Sequence, residues 1–175
     1  MNSPASNQDR PTDQVLSALR RIIRAIDLHS RFLVQRYGLT GPQLTVLKEL
    51  SRIGQASISE LAKAVHLSHA TVTGIISRLE KRQMVHRMRC EADKRQILVS
   101  VSDKTRKMLL ETPPMLQESF TEQFNRLEQW EQHQILASLH RLVSMMEAKH
   151  LDATPILITG PIDASSENTE AFLQD

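Results

Sequence analysis

The chain has 175 residues, of which 40% are hydrophobic and only 3% aromatic, and its formal net charge at pH 7 is +2. This length suits one compact domain with an appended helical part, whose core must be filled mainly by aliphatic side chains. No run approaches the roughly 18 consecutive apolar residues that a membrane helix needs, and the first residues lack the apolar core of a secretory signal, so we expect a soluble, cytoplasmic protein without a membrane partner.

The first part of the chain predicts an arm followed by a long helix. Residues 1–12 are polar and contain two prolines, which is typical of a flexible arm. From Asp13 to Tyr37 apolar residues recur at helical intervals, and Gly38 is placed to end the helix. This apolar stripe is wide enough to meet more than one neighbour.

A second helix is predicted to begin at a capping-box pattern, Thr40-x-x-Gln43. Its buried set recurs every three residues, with Val46 at the edge of that set. The members of the set are Leu44, Leu47 and Leu50.

Two short helix patterns joined by a tight turn follow. Ser57-x-x-Glu60 is a second capping box, and Ser68 can cap the next helix. Each helix has an apolar stripe that must be buried against another element. The stripes are Ile58, Leu61, Ala62 and Val65 in the first helix, and Val72, Ile75, Ile76 and Leu79 in the second.

The opposite face of the second short helix is small and polar. Small side chains let a backbone approach another surface closely, while hydroxyl, amide and cationic groups bind phosphates and base edges. This face should therefore be covered by a partner. Its residues are His69, Ala70, Thr73, Gly74, Ser77 and Arg78, with Thr71 and Lys81 at the margins.

Residues 84–89 and 96–101 are rich in strand-forming side chains and predict two paired strands. The tip between them, from Cys90 to Arg95, is longer and more charged than an ordinary hairpin turn. Helix, turn, helix and charged β-wing in this order predict a winged helix-turn-helix, so the fold class is mainly α with a small β-wing.

Basic charge is concentrated in the same region. Between His66 and Lys107 there are ten Lys or Arg and four Asp or Glu, so the local charge is 10 − 4 = +6. Residues 151–175 contain five acids and no Lys or Arg. Phosphate binding requires this kind of local excess and not a large total charge.

After the wing, Ser102 can cap a helix, and Pro113-Pro114 should interrupt it near Thr112 because proline removes a helical hydrogen bond. A last helix is predicted over residues 128–149. The acidic tail of residues 151–175 leaves two alternatives open: a loosely held segment, or docking of its short Ile-Leu-Ile run on the dimer.

These residues carry a family resemblance. The chain resembles the MarR (multiple antibiotic resistance regulator) family of bacterial transcription factors over roughly residues 13–150. The matching pieces are Leu39-Thr40-x-Pro42-Gln43, Leu61-Ala62, Ser68-x-x-Thr71-Val72-Thr73, Leu79-Glu80-Lys81 and the wing signature Asp93-x-Arg95 with Val99-x-Val101-Ser102. The chain departs from the pattern at Gln83, where the family usually has Gly, and Gln there would cost about 1 kcal/mol or adopt another turn.

The resemblance implies a homodimer with residues 39–102 as the DNA-binding domain, and residues 13–38 and 103–150 as the helical dimerisation region. It also implies that Arg95 enters the DNA minor groove while Asp93 orients its guanidinium, with Lys94 beside them. Proteins of this family often bind small anionic aromatic ligands between the dimer helices and the winged motif. The candidate lining residues here are His29, Ser30, Phe32 and Tyr37.

We therefore predict a homodimeric, sequence-specific transcription regulator that binds double-stranded DNA. It is expected to act as a repressor that releases a pseudo-palindromic operator in response to a small ligand or another signal. The predicted base and phosphate contacts are Ser68, His69, Thr71, Thr73 and Ser77, with Arg78 on phosphate. The alternative is a helical protein-interaction module that does not bind DNA.

No enzyme motif, metal-ligand spacing or cofactor fingerprint is present, so an enzyme is the least supported class. The single cysteine, Cys90, excludes an intrachain disulfide. Basic neighbours could activate its thiol, but we interpret it as an incidental wing residue.

Overall fold

The computed structural model describes residues 10–89, 97–151 and 156–158. These residues fall into two compact units: residues 10–41 with residue 158, and the described residues between 42 and 157. The elements in chain order are α1 (Pro11–Tyr37), α2 (Gly41–Ile53), β1 (Gln55–Ala56), α3 (Ile58–Ala64), α4 (His69–Lys81), β2 (Val85–Arg89), β3 (Ile97–Val101), α5 (Asp103–Leu110), α6 (Leu116–Asn125), α7 (Gln129–Met145) and a short 3-10 helix (Ala148–His150). The predicted fold class, mainly α with a small β-wing, is confirmed.

Helix α1 begins at Pro11, two residues before the predicted start, because proline suits the first position of a helix. It ends at Tyr37, and Gly38 adopts the left-handed conformation with φ of 62°, as predicted. Ile22 and Ile23 are 54% and 60% exposed. The apolar stripe of α1 is therefore largely uncovered.

Helices α2 and α3 form the start of the core. The predicted buried leucines of α2 are all fully buried, and Val46, which was expected at the edge, is fully buried as well. The capping box of α3 is confirmed, since the Ser57 N–H donates to Glu60 Oε2 at 2.8 Å and the Glu60 N–H donates to Ser57 Oγ at 3.3 Å. The hydrogen bonds from the backbone N–H and the hydroxyl of Ser57 lower the pKa of the Glu60 carboxyl. Ile58, predicted on the buried face, is only partly buried.

The predicted wing strands are confirmed within one residue. Strands β2 and β3 pair antiparallel from Val85↔Val101 to Arg89↔Ile97. A strand that the sequence did not predict, β1, pairs with the other edge of β3 through Gln55↔Ser100 and Ala56↔Val99. The described sheet order is thus β1-β3-β2, so the wing is joined to the connection between α2 and α3.

Gln83 occupies the turn between α4 and β2 in the left-handed region, with φ of 57°. The Met84 N–H donates to the Leu79 carbonyl at 2.9 Å, and the Gln83 N–H donates to the Glu80 carbonyl at 2.8 Å. These two bonds form a Schellman motif, which usually ends in glycine. Of the two predicted outcomes, the chain therefore adopts the ordinary turn and accepts the conformational cost of a side chain there.

Replacing Gln83 with glycine should stabilise the protein by up to about 1 kcal/mol, because glycine reaches this conformation without a Cβ penalty. Urea denaturation of both proteins would measure the change. Gln83→Ala is the matched control, since alanine keeps the Cβ and should gain little. Equal stabilisation by the two substitutions would contradict the explanation.

The C-terminal helices follow the predicted break. Ser102 caps α5, whose Thr105 N–H donates to Ser102 Oγ at 3.4 Å, and Pro113-Pro114 separates α5 from α6. The last helix was predicted to reach residue 149 but ends at Met145, because Glu147 takes a positive φ of 53° and the chain continues as a 3-10 turn.

Two absences hold for the part of the chain that the structure describes. None of its helices combines the length and the apolar composition needed to cross a membrane. No group of three or more His, Cys, Asp or Glu side chains among the same residues is arranged to hold a metal ion.

Candidate nucleic-acid interface

Helix α4 has one buried face and one outer face, as its sequence predicted. Its first turn is capped by Ser68, whose Oγ accepts from the Thr71 N–H at 3.0 Å and lies 2.7 Å from the Thr71 hydroxyl. The apolar stripe is fully buried in the core; its members are Val72, Ile75, Ile76 and Leu79. This burial fixes which residues of α4 can meet a partner.

We define the reading face as the outward residues His69, Ala70, Thr73, Gly74 and Ser77. The first two are exposed and the other three are partly exposed. The Thr73 hydroxyl donates to the His69 carbonyl at 2.7 Å and lies 3.4 Å from His69 Nδ1. The sequence prediction that these side chains share one accessible face is therefore confirmed, whereas their contacts with DNA stay a prediction.

Arg78 lies along the same helix, next to Gly74. Its Nη1 atom is 3.7 Å from the position that a Cβ on Gly74 would occupy. Its Nε atom is buried and has no hydrogen-bond partner among the described residues. The missing side chain of Gly74 thus leaves room for the guanidinium against the helix, and the predicted phosphate contact of Arg78 is not tested by this arrangement.

Arg87 of β2 joins the wing to α4, which the sequence analysis did not foresee. Its Nη2 donates to Ser77 Oγ at 3.1 Å. Its Nε lies 3.1 Å from Glu80 Oε2, an ion-pair contact whose angles do not suit a hydrogen bond. Alternation along β2 was the available signal, because Arg87 lies on the same strand face as the buried Val85.

Exposed cationic side chains lie on α4 itself and on the two elements that precede and follow it in the helix-turn-helix and wing. Lys63 is exposed on α3, Lys81 and Arg82 are exposed where α4 ends, and Arg89 is exposed at the end of β2. Cations in such positions can bind a polyanion around a central face of small polar groups. The arrangement combines groups of the kinds that can bind phosphate and contact base edges.

The remaining predicted wing contacts, Asp93, Lys94 and Arg95, lie outside the described residues, as does Cys90. Their predicted roles stay predictions.

The predicted ligand residues lie in the last part of α1, where the ring centroids of His29 and Phe32 are 6.5 Å apart and those of Phe32 and Tyr37 are 6.1 Å apart. The Ser30 hydroxyl donates to the Ile26 carbonyl at 2.9 Å. The structure therefore brings the three rings together, while ligand binding there stays a prediction.

Comparison with known proteins agrees with this geometry. Residues 39–97 match the sequence model of the MarR family. The chain is 27% identical over 132 residues to the HTH-type transcriptional regulator YsmB of Bacillus subtilis. This alignment covers 75% of this chain and 90% of that protein. It is 26% identical over 101 residues to the HTH-type transcriptional regulator MgrA of Staphylococcus aureus, covering 57% of this chain and 69% of that protein.

Two solved structures have similar folds. A probable transcriptional regulator from Pseudomonas aeruginosa is 27% identical, with a TM-score of 0.51, over 76% of this chain and 99% of that one. A variant of ZitR from Lactococcus lactis has a TM-score of 0.61 at 19% identity, over 78% of this chain and 98% of that one. The second likeness concerns the fold alone.

Proposed function

We propose that the chain is a member of the MarR family, whose sequence model residues 39–97 match, and that it is a homodimeric, sequence-specific DNA-binding regulator of transcription. The observation that carries the proposal is the division of α4 into a fully buried apolar face and an outward face of small polar residues, with exposed cations where the helix ends. In winged helix-turn-helix proteins this helix enters the major groove. Ser68, His69, Thr71, Thr73 and Ser77 are the proposed contacts.

The proposal includes the wing and Arg78 as phosphate or minor-groove contacts. Arg suits the narrow, electronegative minor groove of A·T-rich DNA, which favours a role for Arg95 there. Asp93 would orient its guanidinium and Lys94 would add positive charge.

Dimerisation is supported by the apolar stripes of α1 and α7, which are largely exposed in the single chain. On α7, Leu136, Leu139 and Val143 share one face and are 48%, 44% and 42% exposed. Exposed apolar patches of this kind usually mark an interface. A two-fold dimer would present two copies of α4 to half-sites about one helical turn apart.

We further propose that the protein represses transcription and releases DNA when a small ligand or another signal acts on it. The cluster of His29, Phe32 and Tyr37 rings is the support within the chain, because aromatic side chains commonly line small-molecule sites.

A salt titration tests DNA binding. Fragments selected from the source genome would be titrated with the full chain between 50 and 200 mM salt, where a protein with six to ten phosphate contacts loses about 10³–10⁵ in affinity. We expect a steep loss for the selected fragment. Failure to bind any such fragment at low ionic strength would refute the proposal and favour the alternative of a protein-interaction module.

Gly74→Ala offers a prediction in which stability and binding change in opposite directions. Alanine fits, since a Cβ there would meet nothing nearer than 3.7 Å, and it should stabilise α4 by about 1 kcal/mol. The added methyl group should weaken DNA binding by about 1–3 kcal/mol by holding the helix away from the groove. Thermal unfolding and DNA titration would measure the two effects.

Ala70→Gly is the converse control on the same face. It should destabilise the helix by about 1 kcal/mol without adding an obstacle to DNA. If Gly74→Ala increased both stability and affinity, close approach at Gly74 would not be part of the interface.

A further inference from the structure

A groove of about 540 Å³ lies between α2, the end of α3 and the first turns of α6, and Ile156 forms part of its wall. Ile156 is 4% exposed, whereas the adjacent Leu157 is 43% exposed. The groove is apolar at Ala64, Val65 and Met115. One side chain of the C-terminal segment is therefore buried beside the helix-turn-helix, well beyond the residues that match the family.

The backbone next to Ile156 is also held. The Leu157 N–H donates to Gln117 Oε1 at 3.3 Å. A short extended segment is commonly recognised in this way, by main-chain hydrogen bonds together with a pocket for one side chain. Residues 156–157 therefore contact their own chain, whereas the predicted docking of the tail on the dimer stays a prediction.

The same groove joins elements on the two sides of the wing. The Thr45 hydroxyl of α2 donates to Met115 Sδ at 3.4 Å, and Lys48 Nζ lies 2.7 Å from Glu118 Oε2 of α6. Ile156 lies where these elements meet. A segment anchored there restrains the position of α2 and α3 relative to α6.

We propose that this groove is a docking site for the chain's own C-terminal segment, with Ile156 as its apolar anchor and Gln117 as its backbone acceptor. Docking braces the helix-turn-helix against α6. A single anchoring side chain buries little surface compared with a whole core, so the segment can leave the groove without unfolding the protein. The effect on DNA binding rests on the function proposed above.

The test compares two neighbouring substitutions in the full chain, Ile156→Ser and Leu157→Ser. Amide hydrogen exchange is measured at residues 64–66 and 115–121 in the absence of DNA. We expect exchange to become roughly tenfold faster in Ile156→Ser, because the buried anchor is lost, and to stay unchanged in Leu157→Ser. Ile156→Val should give an intermediate rate, which together with unchanged circular dichroism separates undocking from misfolding.

Unchanged exchange in Ile156→Ser, or equal changes in both variants, would overturn the docking site. DNA affinity is measured separately, and we expect Ile156→Ser to bind roughly fivefold more weakly while Leu157→Ser binds normally. Faster exchange with unaltered DNA affinity would show that docking of the C-terminal segment does not contribute to DNA binding. If no variant and no parent chain binds DNA, the proposed function fails while the exchange result still decides the docking site.

Discussion

Replacing Ser68 with aspartate should leave the protein folded and as stable as before, but should weaken DNA binding by about two orders of magnitude. Aspartate caps helices as well as serine does, and its charge interacts favourably with the helix N-terminus. The Thr71 N–H that now donates to Ser68 Oγ at 3.0 Å would keep an acceptor. The new carboxylate would face DNA phosphates and be repelled by them. A loss of about 1–3 kcal/mol of binding free energy is expected at each half-site, and the two losses add in the dimer.

Thermal unfolding and a DNA titration on the same samples would measure both effects. Gln129→Asp is the control, because it adds the same negative charge to the first turn of another helix, α7, at an exposed position outside the proposed interface. We expect that control to bind DNA nearly as well as the parent. Equal loss in both variants would indicate a general effect of negative charge and would remove Ser68 from the interface.

Leu139→Asp should convert the dimer into a folded monomer. Leu139 is 44% exposed in the single chain, so aspartate there is compatible with the fold of the protomer. In the proposed dimer the same position is buried, and an unpaired charge in an apolar interface is strongly unfavourable. Loss of the second half-site contact should then reduce DNA affinity by about 10²–10⁴, which is the usual gain from linking two binding modules.

Sedimentation analysis would determine the oligomeric state, and helix content would be checked by circular dichroism. Gln134→Asp is the control, since Gln134 is exposed and lies on the side of α7 opposite the stripe of Leu136, Leu139 and Val143. A Leu139→Asp protein that remains dimeric and binds DNA normally would refute the proposed interface.

The sequence was most informative where a local rule determines the structure. Capping residues such as Ser57 and Ser68 identified the helix starts, because their side chains satisfy backbone N–H groups only a few residues away. The stripe of Val72, Ile75, Ile76 and Leu79 identified the buried face of α4, and with it the outward face that we propose binds DNA.

The features that the sequence did not reveal depend on pairs of distant residues. Strand β1 has two residues, too few for any periodicity, and forms only because β3 lies beside it. The bond from Arg87 to Ser77 connects a strand to a helix, and the burial of Ile156 depends on a groove made by three separate helices. Local composition cannot predict such contacts, since nothing in the sequence around either residue indicates which distant residue it will contact.

The sheet order has a mechanical consequence for the wing. Strand β3 lies in the middle, so its main chain is bonded on one side to β2 and on the other to the link between α2 and α3. A displacement of β2 and β3 is therefore transmitted, through backbone hydrogen bonds, to the segment that connects α2 and α3. Exchanging side chains at Gln55 or Ala56 would leave that linkage in place, whereas proline, which lacks an amide hydrogen, would weaken it and let the wing move independently.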